Sequence, residues 1–278
     1  MSKVKIEEIQ DKLLEIAVYF DIFCKKNNII YYLMGGSALG AIRHKGFIPW
    51  DDDIDVFMTY HNYIKFIEAC EKNLDTNNFY LQKENTKEWP LFFSKLRMNG
   101  TTFIEEDTKS RQMHQGFYID IMCLNNVSSN FFYRYIQFLA ARLITVKTIA
   151  KKGYITNSNL KKISMFIFKR LIGQNVLKQL VKIVRSLNNK DTKYVGHFFG
   201  RAKFKNTSFL RQYLGSPRYV KFSKIMLPVQ CNVEKYLEIR YGPKYMEMPD
   251  EKTKSLYPSH SAFVDLNNSY KNYVNNNF

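Results

Sequence analysis

The feature that most constrains the fold is a pair of short β-like runs separated by a glycine turn and an acidic cluster. Residues 29–34 form a continuous apolar run, and Gly-Gly-Ser at 35–37 ends it. Residues 53–58 then alternate in character, which predicts a strand with Asp53 and Asp55 on one face. We therefore expect the glycine turn and the paired carboxylates to lie on neighbouring strands of one sheet.

The paired carboxylates predict a cation site. Asp53 and Asp55 repel each other unless a positive charge lies between them, and Mg²⁺ takes oxygen ligands of this kind. A calcium-binding EF-hand is excluded, because Val56 stands where the loop needs glycine and Asn62 stands where it needs glutamate. An acidic surface turn without a metal is the simpler alternative at this point.

The glycine turn predicts a phosphate-binding helix start. Ser37 is expected to cap a short helix that runs to about His44. Gly35 and Gly36 would then leave backbone N–H groups bare at the positive end of that helix, where phosphate binds well. No Gly-Lys-Ser or Gly-Lys-Thr follows, so the turn is not a P-loop. An ordinary tight turn is the alternative.

The other periodicities predict a chain of the α+β class. We expect a mixed β-sheet flanked by helices, with a mostly helical basic insertion. A catalytic core is expected over residues 1–125, a basic helical subdomain over 126–225, and a C-terminal segment that returns to the core over 226–278. The predicted helices are 3–26, 61–73, 131–152, 159–187 and 233–241; the predicted strands are 79–83, 91–98 and 116–123, the last carrying Asp120; residues 190–224 have no clear period, and 267–278 are expected to be frayed.

Positive charge is concentrated in the middle of the chain. The net charge is +17, and residues 121–225 hold 21 Lys or Arg against one acidic residue, Asp191. A concentration of this kind attracts phosphates, anionic lipid surfaces or nucleic acid. A solvated basic face without a partner is the alternative.

The compartment is predicted from what the sequence lacks. The first ten residues are charged and do not resemble a secretory signal, and the apolar run 131–150 is interrupted by Arg134, Arg142 and Lys147. Four widely spaced cysteines fit neither a zinc site nor a disulfide framework. A cytoplasmic enzyme with reduced thiols is therefore expected.

The acidic segment resembles a known family. Residues 43–55 read Arg-His-Lys-Gly-Phe-Ile-Pro-Trp-Asp-Asp-Asp-Ile-Asp, which is similar to the LicD family of phosphorylcholine transferases and its fukutin-type members. That family belongs to the nucleotidyltransferase superfamily, whose signature here is Gly36, Ser37, Asp53 and Asp55. The likeness covers residues 28–123 well and 225–250 moderately. Further similar blocks are 93–97, 116–121 with Asp120, 227–228 and 241–249; Pro243 departs from the pattern, where an acid is expected.

The resemblance implies a nucleotidyltransferase-like fold and a metal-dependent transfer reaction. Mg²⁺ or Mn²⁺ on Asp53, Asp55 and Asp120 would bridge the diphosphate of a CDP-alcohol donor, most simply CDP-choline. A glycan hydroxyl would attack the phosphorus that carries choline, and CMP would leave. Asp51, Asp52 or Asp120 is the candidate base. The implied acceptor is a teichoic acid, lipopolysaccharide or capsule, in a free or a lipid-linked form.

Several further residues are candidates for donor contacts. Bases near the acids suit phosphate, and aromatic rings suit a choline ammonium, although most aromatic side chains pack in the core. His44 is interpreted as a hydrogen-bonding loop residue. The phosphate-binding candidates are Gly35, Gly36, Ser37, Arg43, Lys45, Lys95 and Arg97; the aromatic candidates are Tyr31, Tyr32, Trp50, Trp89 and Tyr118.

Competing functions stay open from the sequence. Ethanolamine, glycerol or ribitol phosphate could replace phosphocholine, and a nucleotidyltransferase proper would move NMP instead. A non-enzymatic basic module is a third hypothesis. The basic helices near 131–187 are expected to contact anionic lipid at the inner face of the cell membrane, whereas nucleic acid is not the expected partner.

Overall fold

A computed structural model describes residues 4–109, 111–152, 163, 170, 172–200, 202–255 and 259–274. The helices are α1 (Ile6–Lys26), α2 (Gly35–Arg43), α3 (Tyr60–Asn73), α4 (Phe131–Lys152), α5 (Gln174–Arg185), α6 (Val233–Tyr241), α7 (Glu251–Lys254) and α8 (Lys271–Val274). The strands are β1 (Tyr32–Leu33), β2 (Asp55–Thr59), β3 (Phe79–Gln82), β4 (Ser94–Met98), β5 (Thr102–Glu105), β6 (Tyr118–Val127), β7 (Tyr194–Gly196), β8 (Ser208–Leu210), β9 (Arg218–Phe222), β10 (Ile225–Val229) and β11 (Ser261–Asp265).

A mixed sheet organises the chain. Its strand order is β1-β2-β6-β4-β3, and β7 and β8 extend it beside the second half of β6. Strands β2 and β6 are parallel, whereas β1–β2, β4–β6 and β3–β4 are antiparallel. Helices pack on this sheet, so the predicted α+β class with a mixed, helix-flanked sheet is confirmed.

The main core forms where α1 and α3 cover the sheet. Leu13, Ile16 and Phe20 recur at helical spacing on α1 and are buried against residues such as Phe66 of α3. Burying a side chain of this size contributes about 1.5–3 kcal/mol. The apolar stripe that the sequence shows in residues 3–26 is therefore what holds this helix on the sheet.

The basic segment has a smaller core of its own. Helices α4 and α5 pack against each other and against the end of β6, with Ala141, Leu177 and Val184 buried between them. The predicted helix 131–152 is confirmed. The predicted helix 159–187 is seen as α5, while 159–162, 164–169 and 171 lie outside the described residues. Within the described parts of the chain, no helix combines the length and apolarity that a membrane span requires.

Short strands account for the main errors of the sequence prediction. Residues 190–224 were expected to be irregular, yet they contain β7, β8 and β9, which are too short to show a period of two. Part of the tail expected to be frayed also has structure, because Asp265 accepts hydrogen bonds from the backbone N–H groups of Asn267 and Asn268. Residues 275–278 lie outside the described residues.

Candidate active site

The glycine turn begins helix α2 directly. The helix starts at Gly35, which has φ +54°, and Met34 is its N-cap, so the expected capping role of Ser37 is wrong. Ser37 Oγ instead accepts a hydrogen bond of 2.9 Å from the backbone N–H of Asp55. The Gly35 N–H donates to Tyr236 Oη at 3.0 Å. These contacts fix the start of α2 against β2.

Because Gly35 and Gly36 have no side chains, the backbone of this turn can lie close to two carboxylates. A Cβ at Gly36 would lie 2.9 Å from Asp51 Oδ2, closer than real Cβ contacts allow. A Cβ at Gly35 would lie 3.7 Å from Asp55 Oδ2. The positive end of α2 therefore faces the acidic segment at close range.

Three carboxylates lie at the ends of adjacent strands. Asp55 and Asp120 are opposite residues in the parallel pairing of β2 and β6, which places neighbouring strands about 4.8 Å apart. Asp53 lies two residues before the start of β2 and is not part of the strand, contrary to the predicted strand start. Ile54 O accepts the Asp120 N–H at 2.9 Å, which binds the acidic segment to β6.

Burial and mutual repulsion make these acids hard to ionise. Burial raises the pKa of Asp53 to about 6, with the Asp120 charge adding to the shift and His260 opposing it. Burial, followed by the charge of Asp53, raises the pKa of Asp55 well above its ordinary value. Burial and the Asp53 charge raise the pKa of Asp51 to about 8. A nearby cation would relieve this repulsion.

The donor chemistry fits a hard divalent cation, because the site offers carboxylate oxygens that crowd one another. Among the described residues, however, no three His, Cys, Asp or Glu side chains are already arranged as a metal-holding group. The ligand set Asp53, Asp55 and Asp120 therefore stays a prediction.

Lys95 supplies a built-in positive charge. This side chain is only 1% exposed, and its Nζ lies 3.0 Å from Asp120 Oδ1 and 3.6 Å from Glu105 Oε2. The ammonium also lies 3.2 Å from the centre of the Tyr118 ring, a cation–π contact. The structure thus places Lys95 on a carboxylate of the site, in a position closed to solvent.

Arg97 is enclosed in the protein rather than directed at a ligand. Its side chain is fully buried, its Nε donates to Gln82 Oε1 at 2.8 Å, and its Nη1 donates to Gly116 O at 2.8 Å. Burial lowers the pKa of Arg97, against the raising effect of the nearby Glu105 charge. A phosphate contact would require this network to break, so we assign Arg97 to holding β4 against β3 and the segment that precedes β6.

The two other candidate bases differ from each other. Arg43 Nη1 donates to Tyr245 O at 3.1 Å and Glu247 O at 3.0 Å, so it anchors the loop after α6. Lys45 has an exposed side chain, and its backbone O accepts the Ser223 N–H at 2.7 Å. Of the predicted phosphate-binding bases, Lys45 has the greatest freedom to reach a ligand.

Most of the candidate aromatic residues are structural. Tyr31 Oη donates to Asp21, Tyr32 Oη donates to Gly215 O, and Trp89 Nε1 donates to Phe93 O. These three side chains are buried, as is Tyr118 beneath Lys95. Trp50 alone among the candidates keeps a partly exposed ring, with Lys254 Nζ 5.0 Å from its centre.

His260 is a residue of the site that the sequence did not predict. Asp52 is 1% exposed and accepts hydrogen bonds from His260 Nδ1 at 2.8 Å and Ser259 Oγ at 2.6 Å, and from the backbone N–H groups of His260 and Ser261. These bonds outweigh burial and lower the pKa of Asp52, so this carboxylate is a poor proton acceptor. No motif marks His260, which lies 208 residues after its partner in sequence.

The imidazole also approaches a predicted metal ligand. His260 Nδ1 lies 3.7 Å from Asp53 Oδ2. The hydrogen bond to Asp52 raises the pKa of His260 to about 9, although burial acts in the opposite direction. The site therefore includes a contact from the C-terminal segment as well as residues of the first half of the chain.

Comparisons with known proteins relate the sequence of this chain to one family. Residues 28–138 match the sequence model of the family described as LicD/FKTN/FKRP, nucleotidyltransferase domain. Over 95% of this chain and the whole of the relative, the sequence is 26% identical to the lipopolysaccharide cholinephosphotransferase LicD of Haemophilus influenzae. A shorter match, 49% identical over 41 residues, covers 15% of this chain and 13% of an uncharacterized protein of Rickettsia typhi. The glycine turn and the acids of the site, Asp120 included, all lie within residues 28–138, the part of the chain that matches the LicD/FKTN/FKRP family model.

Proposed function

We propose that this protein transfers phosphocholine from CDP-choline to a cell-surface glycan and releases CMP. The observation that carries the proposal is the pairing of Asp55 with Asp120 on adjacent strands, beside the start of α2, in a segment that matches the LicD family model. We propose that Asp53 completes this acidic site. The full-length likeness to a lipopolysaccharide cholinephosphotransferase supports phosphocholine and a lipopolysaccharide-type acceptor.

The start of α2 is proposed to hold the donor's diphosphate. The positive end of a helix favours phosphate oxygens. The Gly35 N–H already donates to Tyr236 Oη, so the proposed phosphate contacts come from the backbone N–H groups that follow it. Asp53, Asp55 and Asp120 would hold Mg²⁺ or Mn²⁺, which when bound neutralises charge on the diphosphate. Lys45, which has an exposed side chain, would contact a phosphate oxygen of the donor.

The acceptor hydroxyl is proposed to attack the phosphorus that bears choline. The bond from that phosphorus to the CMP oxygen breaks, and the hydroxyl proton passes to a carboxylate. Asp51 and Asp120 are the candidates for that role, because four donors already fill the oxygens of Asp52.

The basic segment is proposed to meet an anionic lipid surface that carries the acceptor. Phe131, Phe132 and Tyr133, at the start of α4, are 65%, 67% and 63% exposed. Apolar and aromatic side chains beside an excess of Lys and Arg suit the boundary of a negatively charged bilayer. The inner face of the cell membrane is the surface that this proposal implies.

A screen of CDP-alcohols tests the proposed reaction. The full chain is incubated with CDP-choline, CDP-ethanolamine, CDP-glycerol or CDP-ribitol, with lipopolysaccharide or teichoic acid as acceptor, and CMP is measured with and without Mg²⁺. We expect metal-dependent CMP release that is greatest with CDP-choline. Preference for another CDP-alcohol would correct the donor, and pyrophosphate release from an NTP would replace the proposal with NMP transfer.

A further inference from the structure

The structure assigns a positioning role to His260. By donating a hydrogen bond to Asp52, His260 fixes the position of the acidic segment that carries Asp53 and Asp55. This inference rests on the proposed function, because it concerns how that site is assembled. It differs from the proposed chemistry in that His260 acts through Asp52 and takes no part in the transfer itself.

The first observation is the environment of Asp52. This carboxylate stands between Asp51 and Asp53 in sequence and is almost completely buried. It accepts hydrogen bonds from residues 259–261. Buried carboxylates need such partners, since an unpaired one is strongly destabilised. The backbone of the acidic segment is therefore fixed by the C-terminal segment at its central residue.

The second observation is the anchoring of residues 259–261. They lead into β11, which pairs with β5, and Ser261 lies opposite Glu105 in that pairing. Glu105 Oε1 accepts the Tyr118 Oη–H at 3.1 Å, and Glu105 Oε2 lies 3.6 Å from Lys95 Nζ. Strand β5 thus ties the His260 segment to the side of the site where Lys95 holds Asp120.

The third observation is direct proximity. His260 Nδ1 lies 2.8 Å from Asp52 Oδ1 and 3.7 Å from Asp53 Oδ2. Loss of the ring would remove a partner of Asp52 and leave space beside Asp53. A ligand whose supporting contact is lost is held less firmly, and such changes typically weaken metal binding or activity about 10–100-fold.

The test compares four variants of the full chain. His260→Ala removes the donor, whereas His260→Asn keeps a side-chain N–H near the position of Nδ1, and His260→Gln moves that N–H outwards. His61→Ala, at an exposed histidine of α3, is the matched control. Mn²⁺ affinity is measured by electron paramagnetic resonance without substrate, and Tm, kcat and KM are measured alongside.

We expect His260→Ala and His260→Gln to weaken Mn²⁺ binding about 10–100-fold and to lower kcat, while His260→Asn and His61→Ala stay close to the wild type. The inference would be overturned if His260→Ala bound Mn²⁺ with the affinity of the wild type. It would also be overturned if His260→Asn bound Mn²⁺ as weakly as His260→Ala. If the wild-type protein binds no Mn²⁺, the proposed metal site falls, and the inference falls with it. If His260→Ala does not fold, the comparison of Asn with Gln decides.

Discussion

Lys95 Nζ and Asp120 Oδ1 form an ion pair of 3.0 Å in which the lysine side chain is closed to solvent. The pair joins β4 to β6 on the face that carries the acids. Removing one partner of such a pair leaves the other charge buried and uncompensated, whereas removing both is much less costly. Lys95 therefore contributes to the fold and to the charge of the site together.

Lys95→Met is expected to lower the free energy of unfolding by about 3 kcal/mol, because Asp120 loses its partner. Lys95→Met with Asp120→Asn should recover part of that loss. Lys224→Met is the control, since Lys224 forms an exposed pair with Asp11 that should contribute at most about 1 kcal/mol. Urea unfolding measures the free energy of unfolding of all three variants. An equal loss in Lys95→Met and Lys224→Met would contradict this account.

Gly36→Ala should lower activity with little effect on folding. The new Cβ would stand 2.9 Å from Asp51 Oδ2, so the carboxylate or the start of α2 must move away. Gly173→Ala is the matched control, because nothing lies within 4 Å of its Cβ position. CMP release and Tm of the two variants are compared. Full activity in Gly36→Ala would show that the close approach of turn and acid has no role in transfer.

Membrane binding should depend on the start of α4. The double substitution Phe131→Ser and Phe132→Ser is expected to weaken sedimentation with phosphatidylglycerol vesicles, because both rings are exposed and lie in the segment that is rich in Lys and Arg. Binding of the wild type should also fall as salt rises, since counterions screen charge. Met248→Ser, at another exposed apolar side chain, should behave like the wild type. Equal binding by the aromatic variant and the wild type would contradict the proposed lipid contact.

His197 should make the fold sensitive to acid. Burial, aided by the Arg240 and Arg142 charges, lowers the pKa of this imidazole to about 3. The unfolded chain, with a histidine pKa of about 6.5, therefore binds the proton first, so stability falls as the pH drops from about 6.5 towards 3. One such group contributes a slope of up to about 1.4 kcal/mol per pH unit.

Urea unfolding of the wild type and His197→Leu between pH 7.5 and 4 measures this slope. The wild type should lose stability more steeply than the variant over that range. Parallel curves would show that His197 is not held in its neutral form by the fold.

The sequence predicts the centre of the molecule better than its edges. The alternation of apolar and polar residues at 53–58 reflects a buried strand face, and the apolar stripe of α1 reflects a buried helix face. Strand β2 and helix α1 therefore lie close to the residues that these patterns indicate. Strands of three residues such as β7 and β8 depend on partners distant in the chain and leave no local signal.

The site was predictable to a similar extent. Asp55 and Asp120 stand out because an acidic side chain within a largely apolar strand is uncommon unless it has a partner or a role in a site, and Asp53 stands out beside them. The roles of Lys95 and Arg97 did not follow from the sequence, because burial in an ion pair depends on Glu105 and Gln82 of neighbouring strands. His260 could not be predicted for the same reason, since its partner Asp52 lies in another part of the chain.

The most direct measurement of the central claim is CMP release from CDP-choline, with lipopolysaccharide as acceptor, by the wild type, Asp53→Asn and Asp120→Asn. Asp191→Asn, at an exposed acid of the basic segment, is the control. We predict metal-dependent release by the wild type and the control, and a loss of about 10²–10³-fold in the two site variants, as expected when a group that stabilises transition-state charge is removed. Undiminished release by both site variants would contradict the account.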